Sequence, residues 1–305
     1  MVQKHNVKGI EWVDLESPTN AEIHDIMRSY DVDPAVAHDL ALPTMKPRVE
    51  RYGDTVYVIM HFPAWKHSKE QKHQEIDFII GKNFIVTARY ESIDAIHRFS
   101  KQCEVDSILN KDHAKNPLHG GHVFYLLLKE LYASLEDELD FIRDSLHDVE
   151  DNIFAGHEKE MVQKLSFVSR EILLFQNATV HHRDILENYR RLVKSIFEDG
   201  HDLYVESIES TLARVIRTTE SHYHLLVELR RTNDSLLESK QSHLMQIFTF
   251  ITLSTSVMNI IASWFLVDSA GRPFYHNYNE FWYVGAVMGL SCLFLFIIMK
   301  WKKWL

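Results

Sequence analysis

The sequence predicts an α+β membrane protein with an N-terminal αβ domain, a stalk of long helices and two C-terminal transmembrane helices. Three observations indicate this architecture. Strand-like and helix-like patterns alternate over about the first 110 residues. No proline occurs between His122 and Pro273, which favours long helices in the middle of the chain. Two long apolar runs without charged residues lie near the C-terminus.

The composition is that of a folded protein and excludes several classes of function. The 305 residues are 46% apolar, which is enough for one large or two ordinary hydrophobic cores. Lys and Arg number 33 against 43 Asp and Glu, and the resulting formal charge of −10 argues against nucleic acid as a partner. Cys103 and Cys292 are the only cysteines and lie far apart, so neither a disulfide framework nor a Cys-rich zinc site is predicted.

Residues 1–115 are predicted to form a mixed αβ domain that is cytoplasmic. Ser17-Pro18-Thr19 is typical of a helix start, and Gly81-Lys82-Asn83 separates two β-branched runs as a hairpin turn does. The strands are predicted at 7–13, 56–60, 76–80 and 84–87. The helices are predicted at 21–29, 34–42 and 93–109.

Residues 116–240 are predicted to form the stalk, with helices at about 123–154, 159–197 and 202–240. Between His122 and the first apolar run, only Gly156 and Gly200 interrupt the helical pattern. The third helix has no breaker before that run, so it is predicted to continue into the membrane for about 65 residues, or roughly 100 Å. A helix of that length needs neighbours, either within its own chain or in an oligomer.

Residues 241–305 are predicted to form the membrane domain. The first span covers about 245–267 and the second about 281–299, with an external polar loop at 268–280. At about 1.5 Å per residue, these spans measure roughly 35 and 28 Å against a hydrocarbon core of about 30 Å. Buried core helices of a soluble domain are the alternative, but two charge-free runs of this length favour transmembrane helices.

The flanking residues predict the orientation of the spans. Six basic residues lie on the side of the chain termini: Arg230, Arg231, Lys240, Lys300, Lys302 and Lys303. The intervening loop has only Arg272, so both termini are predicted to be cytoplasmic. Aromatic residues that suit the headgroup region lie near the predicted boundaries: Trp264, Trp282, Tyr283, Trp301 and Trp304. Because no secretory signal precedes the domain, we expect a multi-pass protein in the lipid bilayer of a cell inner membrane.

A stripe of mostly polar residues follows one face of the first span. Its members are separated by four, three, four, three and four residues: Met245, Thr249, Thr252, Ser256, Asn259 and Ser263. A spacing near 3.5 places them on one helix face, and Ser242 and Glu238 continue this face toward the cytoplasm. Two interpretations stay open at this point. The stripe either joins transmembrane helices by close contact and hydrogen bonding, or lines a water-filled path.

Other polar groups suggest where cations would bind. Three residues of the external loop are expected to attract them: Asp268, His276 and Glu280. Four carboxylates of the first long helix are a hypothetical regulatory metal site: Glu136, Asp137, Asp140 and Asp144. A solvated helix face is the alternative interpretation of these acids. The His181-His182 and His222-Tyr223-His224 groups do not have the spacing of a helical zinc-ligand pair.

Several segments together carry a resemblance to a known family. They are residues 46–52 ahead of a strand, the 78–87 hairpin, the uninterrupted stalk and the basic tail at 300–305. In order and spacing, the chain resembles the CorA-type divalent cation transporters, also called the two-transmembrane GxN family. The resemblance implies a homopentamer with cytoplasmic αβ domains, in which the first span lines a central pore and the second lies outside it.

The strongest motif of that family, Gly-Met-Asn at the outer end of the first span, is not intact. Val257-Met258-Asn259 matches two of the three letters but lies about two turns deeper in the span. We interpret the chain as a divergent member of the family in which Asn259 is a displaced or altered filter. The alternative is that the match at 257–259 is accidental and that the filter is absent.

The residues and the resemblance predict a metal cation transmembrane transporter that conducts passively. Magnesium, cobalt, nickel or zinc ions are the expected substrates, with magnesium or zinc also as a regulator. No nucleophile elbow, metalloprotease helix motif or nucleotide-binding glycine loop occurs, so neither an enzyme nor a catalytic cofactor is predicted. The alternative is a non-conducting membrane scaffold or metal sensor that keeps the same architecture.

Overall fold

The structure of the chain is a computed structural model. It describes residues 1–41, 43–44, 46–63, 73–109, 119–197, 201–267 and 280–301. The chain divides into two compact units. The first comprises Met1–Ala155 and Met161–Leu229, and the second comprises Gly156–Glu160 and Arg230–Leu305. The first unit therefore contains the αβ fold together with most of the long helices, and the second contains both apolar runs.

A six-stranded mixed sheet lies in the first unit. Its strands are β1 (Val2–Val7), β2 (Ile10–Glu16), β3 (Arg48–Tyr52), β4 (Thr55–Pro63), β5 (His73–Ile80) and β6 (Phe84–Arg89). The order across the sheet is β1-β2-β6-β5-β4-β3; β2 and β6 are parallel and the other neighbours are antiparallel. The hairpin predicted around Gly81-Lys82-Asn83 is confirmed as the β5–β6 connection.

The prediction of a single strand at 7–13 is wrong. Lys8 and Gly9 both have positive φ, at 51° and 93°, and connect β1 to β2 as an antiparallel hairpin. Two consecutive residues with positive φ are the requirement of a type I′ turn, and glycine at the second of them makes that turn accessible. The strand β3 was not predicted, because this edge strand carries the charged side chains of Arg48, Glu50 and Arg51.

The structure contains eight helices among the residues it describes: α1 (Asn20–Ser29), α2 (Pro34–Asp39), α3 (Asp94–Leu109), α4 (Gly120–Phe154), α5 (Glu158–Thr179), α6 (His182–Val193), α7 (His201–Leu266) and α8 (Glu280–Trp301). The helix start predicted at Ser17-Pro18-Thr19 is confirmed, since the Thr19 hydroxyl accepts from the Glu22 N–H and the Glu22 carboxylate accepts from the Thr19 N–H.

The two faces of the sheet pack on different helices. One face, with Tyr57, Ile59 and Ile79, forms a core with α1 and α2. The other face packs on α3 and α4, where the Trp12 ring centroid lies 5.1 Å from that of Phe99. Because both faces are covered, the strands of the central pairs are almost completely buried, and the sheet is a rigid base for α4.

The predicted helix at 159–197 is divided into α5 and α6. The chain turns at Val180 and His181, and α6 begins at His182, whose side chain has no exposed surface. The His182 Nε2 lies 2.8 Å from the His61 carbonyl oxygen of β4, and Nδ1 lies 2.9 Å from the Tyr132 hydroxyl of α4. These tertiary bonds stabilise the break, which neither proline nor glycine marks in the sequence.

The prediction that the last stalk helix continues into the first apolar run is confirmed. The helix α7 has 66 residues from His201 to Leu266, or about 100 Å at about 1.5 Å per residue. Its buried positions before Leu229 follow helical spacing and include Val205, Ile208, Leu212 and Val215. The stalk part of α7 thus has an apolar face within the first unit.

The start of α4 leaves no space for a side chain at Gly120. A Cβ atom there would lie 2.2 Å from the Gly81 carbonyl oxygen and 2.4 Å from that of Phe84. At Gly121 the nearest atoms belong instead to the side chains of His201 and Phe197, at 2.6 and 2.8 Å.

We expect Gly120→Ala to lower the free energy of unfolding by about 2–3 kcal/mol or more, because backbone atoms must move to accommodate the methyl group. Gly121→Ala should cost less, since the neighbouring rings can change rotamer. Thermal unfolding of the two purified variants beside wild type measures this. Equal stability of Gly120→Ala and wild type would contradict the packing described.

Candidate conduction path

Within the described part of the chain, two helices are long and apolar enough to cross a membrane: α7 and the 281–301 part of α8. In both, many large apolar side chains are exposed in the single chain, as the values of 64% for Phe248, 80% for Leu266 and 65% for Leu290 illustrate. A lipid environment stabilises such surfaces, whereas water does not. The length, the exposure and the apolar composition together support the two predicted spans.

The apolar part of α7 has one face toward α8. The residues on this face are half-buried and recur at intervals of three or four: Ile247, Phe250, Ser254, Val257, Ile261 and Phe265. The ring centroids of Phe250 and Phe296 are 6.4 Å apart, and Val257 shares an apolar groove with residues of α8 that include Leu290 and Phe294. This contact orients α7 relative to the second span.

The predicted polar stripe lies on the opposite face of α7. Every member from Glu238 and Ser242 through Met245 to Ser263 is exposed in the single chain. At about 100° per residue, the stripe positions from Met245 to Ser263 lie about 140° to 180° around the helix from Ser254. The second span of the same chain therefore does not cover the stripe.

The threonine hydroxyls of the stripe have a defined orientation. The hydroxyl of Thr249 donates to the Met245 carbonyl oxygen at 2.8 Å, and that of Thr252 donates to the Phe248 carbonyl oxygen at 2.9 Å. A hydroxyl whose proton is used within its own helix can still accept hydrogen bonds through its oxygen. The exposed side of these threonines is therefore an acceptor surface.

Asn259 lies well inside the span. It is exposed on the stripe, seven residues before the end of α7 at Leu266, which corresponds to about 10 Å along the helix axis. This placement agrees with the depth inferred from the sequence. The predicted role of Asn259 as an altered filter stays a prediction.

The external-loop residues cannot be placed in the same way. Asp268 and His276 lie outside the described residues. The helix α8 begins at Glu280, but the side chain of this residue is not among those described. Their predicted role in attracting cations therefore stays a prediction.

The four acidic residues predicted as a regulatory site lie along α4, and each is near a basic side chain. Arg214 Nε lies 2.9 Å from Glu136, Arg98 Nη1 lies 3.8 Å from Asp137, and Arg143 lies near both Asp140 and Asp144, at 2.8 and 3.6 Å. From the sequence, Arg143 is the one close basic residue, whereas the fold also brings Arg98 from α3 and Arg214 from α7. A cation would compete with these ion pairs.

Among the residues that the structure describes, no group of three or more His, Cys, Asp or Glu side chains comes together in an arrangement that could hold a metal ion. The paired histidines agree with this. His182 is buried with both ring nitrogens in hydrogen-bonding distance of protein groups, and His222 is buried while His224 is exposed on another face of α7.

One ion pair below the first span was missed by sequence reasoning. Lys240, the last charged residue before that span, donates from Nζ to the Glu158 carboxylate at 2.5 Å and to the Gly156 carbonyl oxygen at 3.2 Å. Glu158 is buried, and this contact with Lys240 lowers its pKa. Helical periodicity carries no signal for it, because the partners are 82 residues apart.

An αβ unit connected by one continuous helix to a pair of apolar spans defines a class of two-span membrane proteins with a large soluble part. The family model "CorA-like Mg2+ transporter protein" matches residues 7–302, and the chain belongs to this family of divalent cation transporters. The resemblance inferred from the sequence is thereby confirmed.

Relatives in sequence and structure agree with that assignment. The chain is 22% identical to the cobalt/magnesium transport protein CorA of Methanocaldococcus jannaschii, over 96% of this chain and 91% of the relative. It is 20% identical to the protein of the same name from Thermotoga maritima, over 98% and 82%. The complete structure of the Methanocaldococcus jannaschii CorA magnesium transporter matches with a TM-score of 0.83 at 21% identity, over 97% and 92% of the chains. The full-length CmaX protein matches with a TM-score of 0.71 at 15% identity, over 97% and 89%.

Cysteine accessibility tests the two faces of α7. In a Cys103→Ala, Cys292→Ala background, we expect Thr252→Cys and Ser256→Cys in proteoliposomes to react with a membrane-impermeant thiol reagent about tenfold faster than Val257→Cys, because thiols ionise in water and not in lipid. Labelling is followed by mass spectrometry. Faster labelling of Val257→Cys, or no labelling of the stripe positions, would place the stripe in a dry environment.

Proposed function

We propose that this protein conducts a divalent metal cation, such as Mg²⁺, Co²⁺, Ni²⁺ or Zn²⁺, across a cell inner membrane through a homopentameric pore lined by the stripe of α7. Both termini would lie in the cytoplasm. The observation that carries the proposal is the exposure of the whole polar stripe on the face of α7 away from α8. In a bilayer this face needs either water or other protein against it, since polar groups in contact with lipid are costly.

The chemistry of the stripe favours cations that keep their water shell. Water bound to a cation directs its hydrogens outward, and the oxygens of Thr249 and Thr252 are available to accept them. Mg²⁺ dehydrates reluctantly and normally keeps several of its waters in protein sites. Glu238 is exposed on the same face before the span and adds a negative charge at its cytoplasmic end.

The membrane potential is a sufficient energy source for uptake. A divalent ion that crosses an inside-negative membrane of about 100 mV gains about 4.6 kcal/mol, twice the value for a single charge. The sequence contains no Walker A motif, since no glycine stands five residues before Gly81-Lys82. Passive conduction therefore needs no nucleotide hydrolysis.

The proposal requires several copies of the chain around one axis. A single α7 presents one polar face and cannot enclose a path, but a ring of identical helices can. The subunit number of five comes from the resemblance to the CorA-type family. Native mass spectrometry of the purified protein is expected to give five times the 35.9 kDa chain mass. A monomer or dimer as the largest species would contradict a ring.

A flux assay tests conduction. In proteoliposomes that contain a metal-sensitive dye, Asn259→Leu is expected to lower flux about tenfold or more, because an apolar ring would replace amides along the path. Val257→Leu, on the face toward α8, is the matched control and should conduct as wild type does. Glu238→Ala is expected to lower flux mainly at low ionic strength, where its charge is least screened.

Absence of wild-type flux for Mg²⁺, Co²⁺, Ni²⁺ and Zn²⁺ would contradict conduction and favour a non-conducting scaffold or metal sensor with the same architecture. Equal flux for Asn259→Leu and wild type would instead leave conduction in place and exclude Asn259 from the path.

Regulation by cytoplasmic metal is the second part of the proposal. Divalent cations that bind acidic residues of the soluble part would close the pore by joining neighbouring subunits. The carboxylates of Glu136, Asp137, Asp140 and Asp144 supply hard oxygen ligands of the right kind, but each would first have to leave its arginine partner.

A further inference from the structure

Three buried histidines lie on the helices α6 and α7. They are His182 on α6 and His201 and His222 on α7, with exposed fractions of 0, 5 and 7%. His182 contacts Tyr132 of α4, and the His201 ring contacts that of His119 at the start of α4. Burial lowers the pKa of all three histidines from the ordinary value of 6.5. They are therefore neutral at pH 7, and each would become a buried cation on protonation.

The contacts of His182 use both nitrogens of a neutral ring. Since Nε2 faces the His61 carbonyl oxygen, it carries the proton, and Nδ1 accepts from the Tyr132 hydroxyl of α4. Burial lowers its pKa most, the hydrogen bond to the His61 carbonyl raises it, and the His61 and His181 side chains lower it again, to about 4. A second proton on His182 would remove the acceptor that Tyr132 uses.

The surroundings of His201 are similarly unfavourable for a positive charge. Its ring centroid lies 5.0 Å from that of His119, and with His122 this ring lowers the pKa of His201, after burial, to about 4. Burial lowers the pKa of His122, and Lys8 and His119 lower it further. The Tyr189 hydroxyl lies 3.2 Å from Nε2, and the Tyr204 ring centroid lies 6.4 Å away.

One carboxylate near His201 opposes these effects, but it has other partners. Asp202 raises the pKa of His201, yet its oxygens lie 3.3 Å from Arg190 Nε and 3.8 Å from Lys194 Nζ. Its charge is thus shared with two cations. Glu198 and Asp199, which precede His201 in the sequence, lie outside the described residues.

His222 is buried on α7, and the charged groups that act on it belong to α4. After burial, Arg143 and His147 of α4 lower its pKa and Asp140 raises it. Asp140 accepts a hydrogen bond from Arg143 at 2.8 Å, so its carboxylate is already paired. The Nδ1 atom of His222 is buried and has no hydrogen-bond partner in the described structure.

We infer that the contact of α4 with α6 and α7 is a proton-sensitive switch, which holds at neutral pH and loosens when the cytoplasm becomes acidic. Since α7 continues without interruption into the first span, loosening its contact with α4 changes transport. The transport part of this inference rests on the proposed function, whereas the loosening of α4 does not.

The direction with pH follows from the lowered pKa values. In the open or unfolded state a histidine binds its proton near pH 6.5, and in the closed state only at a lower pH. The contact therefore has its full stability above pH 6.5 and loses it as the pH falls from 6.5 toward 4. For one fully buried histidine, the opening equilibrium increases about tenfold between pH 7.5 and 5.5.

Amide hydrogen exchange of the full-length protein in detergent micelles tests the switch. After correction for intrinsic exchange rates, α4 of wild type is expected to exchange about tenfold faster or more at pH 5.5 than at pH 7.5. His222→Leu removes one titrating ring and should reduce this ratio clearly. His224→Leu, two residues further along the same helix at an exposed position, is the matched control and should behave as wild type does.

His222→Gln keeps a polar side chain that cannot take up a proton, and it replaces His222→Leu if that variant fails to fold. Equal exchange of α4 in wild type at the two pH values would overturn the inference. The same ratio in wild type and in the His222 variant would also overturn it for His222.

Flux measured with pH 7.5 or 5.5 on the side of the soluble domains completes the test. A pH dependence of wild-type flux that the His222 variant reduces supports regulation, and an identical dependence in both contradicts it. No wild-type flux at either pH would contradict the proposed function, while hydrogen exchange would still decide on the switch itself.

Discussion

The structure depends most on one constraint: polar side chains in contact with lipid are costly. In the first span the stripe from Met245 to Ser263 is a mostly polar face, and the contact through Phe250 and Phe296 directs it away from the second span. A lone chain therefore leaves its most polar membrane surface uncovered. This surface therefore needs water or further protein against it, which is the basis of the ring proposed above.

The soluble unit supplies a firm base for this arrangement. The sheet is covered on both faces, and the N-terminus of α4 is in backbone contact with the β5–β6 turn, where Gly120 donates to the Lys82 carbonyl oxygen at 2.9 Å. In turn, α4 lies beside α7 through the ring contacts of His122 and Tyr125 with Tyr204 and the ion pair of Glu136 with Arg214. A path of packed groups therefore leads from the sheet to the long helix.

Periodicity and length were sufficient to predict the elements whose structure is local. The β5–β6 hairpin, the continuous α7 and the two apolar spans follow from alternation, from the absence of proline and from uncharged length. The division between α5 and α6 could not be predicted in this way, because His182 is held by Tyr132 and His61 across the fold. Likewise the turn at Lys8 and Gly9 depends on positive φ at both residues, and in the segment 7–13 the sequence signal for it is Gly9.

For the candidate site, the sequence identified which residues share a face but not what that face contacts. Spacing placed Thr249 and Asn259 on one stripe, and only the position of α8 showed that its own chain leaves the stripe uncovered. Two arginine partners of the acids on α4 come from other helices, α3 and α7. The sequence of α4 alone therefore does not show that these carboxylates form ion pairs. Contacts between residues that are far apart in the sequence do not produce a periodic pattern in it.

The uninterrupted length of α7 has a mechanical consequence. A rod of about 100 Å that tilts by about 3° about its far end moves its tip by about 5 Å, roughly the rise of one helical turn. Sub-ångström adjustments near His201 would thus be magnified at the bilayer, whereas a jointed helix would absorb them. The proposed switch would then act through the length of α7 itself, without a relay of side chains.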